Sequence, residues 1–156
     1  MYYAQSDSNN FKILNTNPAP MKLLVPTDGS IYSENAAKVA GILAQKHEGE
    51  IILLHVVADT GFRRKTWRNK GAESILSELR NLLVNMGCDE YRIKCIIEDG
   101  NAPEKIVEVA NLHNTDRIVM GTHGKTGIKK IMGSVTEKVL QISDVLVLVV
   151  PPGHNK

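Results

Sequence analysis

Beyond residue 20 the apolar positions fall alternately into short unbroken runs and into three- and four-residue steps. Leu23-Leu24-Val25 is a compact run closed by Pro26-Thr27-Asp28-Gly29, the pattern of a buried strand leaving a sheet. A helix is expected from about Ile31, with Ser30 as N-cap and a broad apolar face of Ala36, Ala37, Val39, Ala40, Ile42, Leu43 and Ala44. Ile51 to Val57 reads as the second strand. Residues 58–70 are polar and basic without a period, which predicts a loop. Ile75, Leu76, Leu79, Leu82, Leu83 and Met86 then mark a helix from about Ala72 to Met86, and Tyr91 to Ile97 a third strand. Pro103 sits where a helix can begin without losing a needed N–H, and Ile106, Val107 and Ala110 continue it. Arg117 to Met120 is the fourth strand, Ser134 opens the last helix, and Val145 to Val150 is a fifth strand stopped by Pro151-Pro152.

The resulting order is βαβαβαβαβ, with strands that are apolar throughout rather than alternating. Strands of that kind are buried on both sides by helices, as in parallel sheets. Right-handed crossovers then give a single α/β domain, a doubly wound, five-stranded parallel sheet with helices on both faces; the strand order 3-2-1-4-5 is expected for it. Such sheets bind ligands beyond the carboxyl ends of their strands, where the strand order reverses. The segments following strands one and four therefore carry the interest.

Composition narrows the function classes. The chain has 156 residues, enough for one domain with a self-sufficient core. A formal net charge of +2 does not suit a dedicated nucleic-acid binder, and 4% aromatic residues do not suit a protein that stacks bases on rings. The run Val145 to Val150 is far too short to span a bilayer. Cys88 and Cys95 form no metal-like spacing, so reduced structural thiols and a cytoplasmic location are expected. Residues 1–20 carry four Asn, two Pro and two charged residues, Asp7 and Lys12, and lack the basic segment and apolar core of a secretory signal. They read as a flexible extension, with the folded domain at residues 21–156.

After strand four, Met120-Gly121-Thr122-His123-Gly124-Lys125-Thr126-Gly127 leads to Gly133-Ser134-Val135-Thr136-Glu137 at a helix start. Glycines let backbone N–H groups converge on an anion, and the helix N-terminus adds partial positive charge. Lys125, Lys129 and Lys130 add full charges, with no acid among them. This is the chemistry of a phosphate site. Gly124-Lys125-Thr126 imitates the end of a Walker A loop, but that motif's first glycine would fall at Val119, so the spacing fails. The glycines can equally serve turns alone, and Ser134 with Glu137 fits a capping box, which needs no ligand. After strand one, Asp28 stands at the mouth of the sheet. There it can accept hydrogen bonds from ribose hydroxyls or an adenine amino group, help hold a metal ion, or merely organise the turn.

Together these segments resemble the universal stress protein A family: KLLVPTDGS at residues 22–30, the strand end Leu54-His55-Val56, Gly100-Asn101-Ala102-Pro103, and VMGTHG at 119–124 with GSVT at 133–136. The resemblance covers about residues 21–151. It implies the five-stranded doubly wound fold, dimers paired through the last strand, and two branches, one of which binds ATP. That branch carries G-x2-G-x9-G-[ST]; this chain reads Gly121-x2-Gly124-x8-Gly133-Ser134, one residue short in the long spacer. By matching positions the resemblance implies Asp28 and Val56 at adenosine, with Pro26, Thr27 and Met120 lining its pocket. It likewise implies Gly121, Gly124, Gly133, Ser134, Val135 and Thr136 at ribose and phosphates, with Thr122 and His123 flanking the phosphate turn. Mg2+ would accompany ATP.

His55, inside an apolar run, reads as a hydrogen-bonded core histidine because no partner lies at ligand spacing. Arg63, Arg64, Lys65, Arg68 and Lys70 surround Trp67. That stretch is either a solvated loop or a lid over the phosphates or a contact for an acidic partner. Val145, Val147 and Val149 leave a face and an edge needing cover, so self-pairing along residues 145–150 is expected. The expected function is a cytoplasmic, homodimeric, ATP- and Mg2+-binding sensor or signalling protein of the stress response. A slow ATPase or autophosphorylating protein, or a structural dimer with no nucleotide, are the other readings.

Overall fold

The computed structural model describes residues 2–5, 12–15, 19–58, 65–124 and 132–153, the backbone alone at 2–5, 12–15 and 65–69. Near the N-terminus, β1 (Tyr2–Gln5) and β2 (Lys12–Asn15) pair antiparallel as a separate two-stranded sheet, so part of the expected flexible extension has local structure. The chain then runs β3 (Lys22–Pro26), α1 (Ile31–His47), β4 (Glu50–Val57), α2 (Lys65–Asn85), β5 (Ile93–Asp99), α3 (Ala102–Leu112), β6 (Arg117–Gly121), α4 (Ser134–Ile142) and β7 (Leu146–Val150). The five main strands form one parallel sheet in the order β5-β4-β3-β6-β7, which is 3-2-1-4-5 counted from β3.

Two apolar clusters cover the two faces. Leu23, Val25, Leu53 and Val119 pack with Ala36, Ala37, Ala40 and Ala44 of α1 and Leu76, Leu79 and Leu83 of α2. Leu24, Ile52, Leu54, Ile118 and Met120 pack with Ile106, Val109 and Ala110 of α3 and Val139 of α4. Neighbouring residues of one strand enter opposite clusters, which is why the runs read apolar throughout. The small alanines of α1 let it lie close on the sheet, and Gly41 lets α2 pack close beside it: a Cβ there would come within 2.9 Å of the Leu83 side chain.

Two elements depart from the sequence expectation. The helix α2 begins at Lys65, seven residues before Ala72, so half of the stretch expected as a loop is helical. Its first turn has no acidic residue to complement the helix dipole. Tyr91 belongs to a 3-10 turn, Glu90–Arg92, rather than to a strand. The Asp89 carboxylate accepts from the Tyr91 N–H at 3.0 Å, and β5 starts only at Ile93. Arg63 and Arg64, the side chain of Trp67 and the three lysines at 125, 129 and 130 lie outside the described residues. Among those that are described, no helix is long and apolar enough to cross a membrane.

Candidate functional site at the carboxyl edge of the sheet

Strands β3 and β6 are neighbours whose chains turn to opposite faces, one into α1 and the other toward α4, and the gap between them opens a crevice. Its volume is about 360 Å3. Pro26, Thr27 and Asp28 form one lip, and Gly121, His123, Gly124, Gly133, Ser134, Val135 and Thr136 the other, with Val56 and Met120 on the walls. Twelve of the residues singled out from sequence thus line one cavity, and Thr122 is the exception. Its side chain is buried, its hydroxyl lies 2.9 Å from His123 Nδ1, and its carbonyl accepts from the Gly133 N–H at 2.6 Å. Thr122 braces the wall from behind.

The first lip is built by short-range hydrogen bonds. Asp28 Oδ1 accepts from the Ser30 N–H at 3.0 Å, which curls the chain into an Asx turn, and Gly29 supplies the positive φ of 78° that the turn requires. The Ser30 hydroxyl caps α1 by accepting from the Ser33 N–H at 3.3 Å. Thr27 Oγ1 accepts from the Gly29 N–H at 3.2 Å and lies 3.0 Å from Ser33 Oγ. Asp28 consequently stands at the mouth.

The second lip depends on close backbone approach. A Cβ on Gly121 would lie 2.7 Å from the Tyr32 carbonyl oxygen, so the first turn of α1 rests directly on the end of β6. A Cβ on Gly124 would lie 2.5 Å from Asp28 Oδ2, so the carboxylate leans on the glycine loop and joins the two lips. Tyr32 also packs its ring against His123, with centroids 5.3 Å apart.

At α4 the expected capping box does not form. Gly133, not Ser134, is the N-cap, there is no side-chain cap bond, and Ser134 is the first helical residue with its hydroxyl exposed. Gly133 donates its N–H to Thr122, and the first intrahelical bond runs from the Glu137 N–H to the Gly133 carbonyl at 2.9 Å. Among the described residues no acceptor is bonded to the N–H groups of Ser134, Val135 or Thr136. These donors and the positive end of the helix dipole stand at residues that line the cavity. The Thr136 hydroxyl is occupied: it donates to the Gly121 carbonyl at 2.8 Å and ties α4 to the end of β6.

Four lining residues were not foreseen: Ser33, Leu54, Ala102 and Ile106. Leu54 lies two residues from Val56 and so on the same side of β4, while Ala102 and Ile106 share one face of α3 at helical spacing. With Met120, Val56 and Pro26 they make one half of the crevice apolar and leave the other half polar. The arrangement can hold a flat apolar group deep in the crevice, a hydroxylated group at Asp28 and an anion at α4. Among the described residues no group of three or more His, Cys, Asp or Glu side chains is placed to hold a metal ion.

The model of the Universal stress protein family matches residues 20–151. This chain belongs to that family. It is 34% identical over 151 residues to universal stress protein MJ0577 of Methanocaldococcus jannaschii, covering 83% of this chain and 93% of that one. The solved MJ0577 structure superposes with a TM-score of 0.66 over 84% of this chain and 95% of its own. A universal stress protein crystallised in complex with cAMP is 26% identical, with a TM-score of 0.71 over 85% of this chain and 98% of that chain. A family member from Archaeoglobus fulgidus in complex with dAMP, 20% identical with a TM-score of 0.66 over 83% of this chain and 95% of that chain, shares the fold.

Proposed function

We propose that this universal stress protein binds an adenine nucleotide, ATP accompanied by Mg2+, in the carboxyl-edge crevice. It would act as a cytoplasmic nucleotide-dependent sensor or signalling homodimer in the stress response. The observation that carries the reading is the convergence, across one cavity, of an Asp28 carboxylate and the open N–H groups of Ser134, Val135 and Thr136. Carboxylate and donors match the two polar ends of a nucleotide, and the apolar half between Leu54, Val56, Ile106 and Met120 suits a base held without ring stacking. The cAMP complex of a relative supports the same ligand class.

Mg2+ would arrive with the phosphates, which bring most of its oxygen ligands; Asp28 and the Ser134 hydroxyl are the oxygen donors on the lips. Asp28 and His123 are the only titratable side chains lining the cavity among the described residues, so binding rather than turnover is the favoured output. For the dimer, the sequence placed the exposed apolar face of the last strand on Val145, Val147 and Val149. The structure corrects this: Val145 and Val147 pack toward α3 and α4, and it is Leu146 and Leu148 that are exposed, at 71% and 37%. Among the described residues β7 pairs with β6 alone, so its outer edge and these leucines suit a second copy.

Calorimetry with ATP·Mg2+ tests the ligand, and mass spectrometry of the purified protein tests for a retained nucleotide. Heat of binding that falls at least about tenfold in affinity for Asp28→Ala is the expected result. Absence of heat for the wild type would overturn the reading, and phosphate release well above background that Asp28→Ala abolishes would make it an enzyme. Sedimentation should give a dimer that Leu146→Asp dissociates.

A further inference from the structure

We propose that His55, which does not line the crevice, is a positioning residue for it: its ring fixes the turn that presents Asp28. The inference rests on the nucleotide reading and concerns what holds that site open in the right shape. The register of β3 with β4 ends at Pro26 and Leu54, whereas β4 continues against β5 as far as Val57 and Asp99. At the mouth, therefore, β4 outruns β3, and the chain at Thr27 leaves the ladder to enter α1. One backbone rung remains there, from the Thr27 N–H to the Leu54 carbonyl at 2.8 Å. On the carbonyl side a side chain takes over from the ladder: His55 Nδ1 lies 2.8 Å from the Thr27 carbonyl oxygen.

A carbonyl oxygen only accepts, so His55 must carry its proton on Nδ1 and donate. Both backbone groups of Thr27 are then clamped to β4, while its hydroxyl takes the Gly29 N–H and contacts Ser33. Every polar atom of this buried threonine is used to hold the turn. Asp28 follows immediately, and its reach toward Gly124 depends on where Thr27 sits. Without the imidazole, the Thr27 carbonyl keeps no donor among the described contacts, and the turn is held on one side only.

The test uses two full-length variants. His55→Leu keeps a side chain of similar bulk without a donor, whereas His55→Asn places an amide N–H near the position of Nδ1. ATP·Mg2+ affinity is expected to fall about fivefold to tenfold for the leucine variant, the worth of one hydrogen bond, and to stay within about threefold of wild type for asparagine. Amide exchange at Gly29 and Ser30 should quicken in the leucine variant and not in the asparagine variant, a readout that needs no ligand. A leucine variant with wild-type exchange and affinity, or an asparagine variant as impaired as leucine, would overturn the proposal. If the wild type binds no ATP·Mg2+, the nucleotide reading fails and the exchange pattern still decides the role of His55.

Discussion

The two ends of the sheet each hold a cavity of similar volume, and only one of them carries the nucleotide features. Near the amino ends of β4 and β5 a cavity of about 400 Å3 is lined by Ala44, Gln45, Gly49, Cys88, Arg92 and their neighbours, against about 360 Å3 at the carboxyl edge. The amino-end cavity is nonetheless chemically spent. Gln45 donates to the Met86 carbonyl at 2.8 Å, Arg92 donates to the Glu48 carbonyl and pairs with Asp89, and the Gly49 N–H goes to Ala44. At the carboxyl edge the corresponding account stays open, because helix α4 begins there with donors that nothing in the described protein takes. Volume alone does not make a site. Parallel strands with helices returning at one end put helix N-termini and unpaired amides at the carboxyl edge, and only there.

The strongest way to break this contrast is at Gly121. Alanine there would drive a Cβ to 2.7 Å from the Tyr32 carbonyl, and since both are backbone the clash cannot be relieved by a rotamer. Gly121→Ala is expected to lose about 3 kcal/mol of stability in urea denaturation, at the upper end for overpacking, and to abolish nucleotide binding. Thr136→Val comes next. It keeps shape but leaves the Gly121 carbonyl without its hydroxyl donor, which should cost about 1 to 2 kcal/mol in the same assay and loosen α4. By contrast Arg92→Ala, at the opposite end, should cost less than about 1 kcal/mol, because its ion pair is solvent-exposed, and should leave nucleotide affinity unchanged.

Thiol labelling gives the smallest effect. Burial pushes the Cys95 thiol above its usual range, with the Arg80 guanidinium pulling the other way. A raised pKa means less thiolate at a given pH, so Cys95 should react more slowly than a free thiol at pH 8, its rate still rising at higher pH. Cys88 lines the amino-end cavity and is buried, so it should react more slowly still. Saturating nucleotide should change neither rate.

The succession of strands and helices and the carboxyl-edge crevice were legible because they rest on local features: runs of Leu, Ile and Val closed by turn residues, and glycines at fixed steps. What escaped depended on neighbours. The last strand reads Val-Leu-Val-Leu-Val-Val, apolar on both faces, and only the packing of α3 and α4 on one side decides that Leu146 and Leu148 are exposed. The start of α2 at Lys65 escaped because residues 65–71, KTWRNKG, carry one large apolar residue among polar ones and so show no helical period. Ser134 looked like a cap because its hydroxyl and Glu137 stand at capping-box spacing. Gly133 took that place by bonding Thr122 across the loop, a contact between segments that no local pattern encodes. His55 was read as a hydrogen-bonded histidine, but its acceptor, 28 residues away in sequence, appears only once β3 and β4 pair.

Hydrogen exchange of the full-length protein with and without ATP·Mg2+ tests the central claim most directly, because it reads both ends of the sheet at once. Protection of the amides of Ser134, Val135 and Thr136 and of residues 27–30, with none at 87–93, is the predicted result. Unchanged exchange at the carboxyl edge, or protection confined to 87–93, would contradict it.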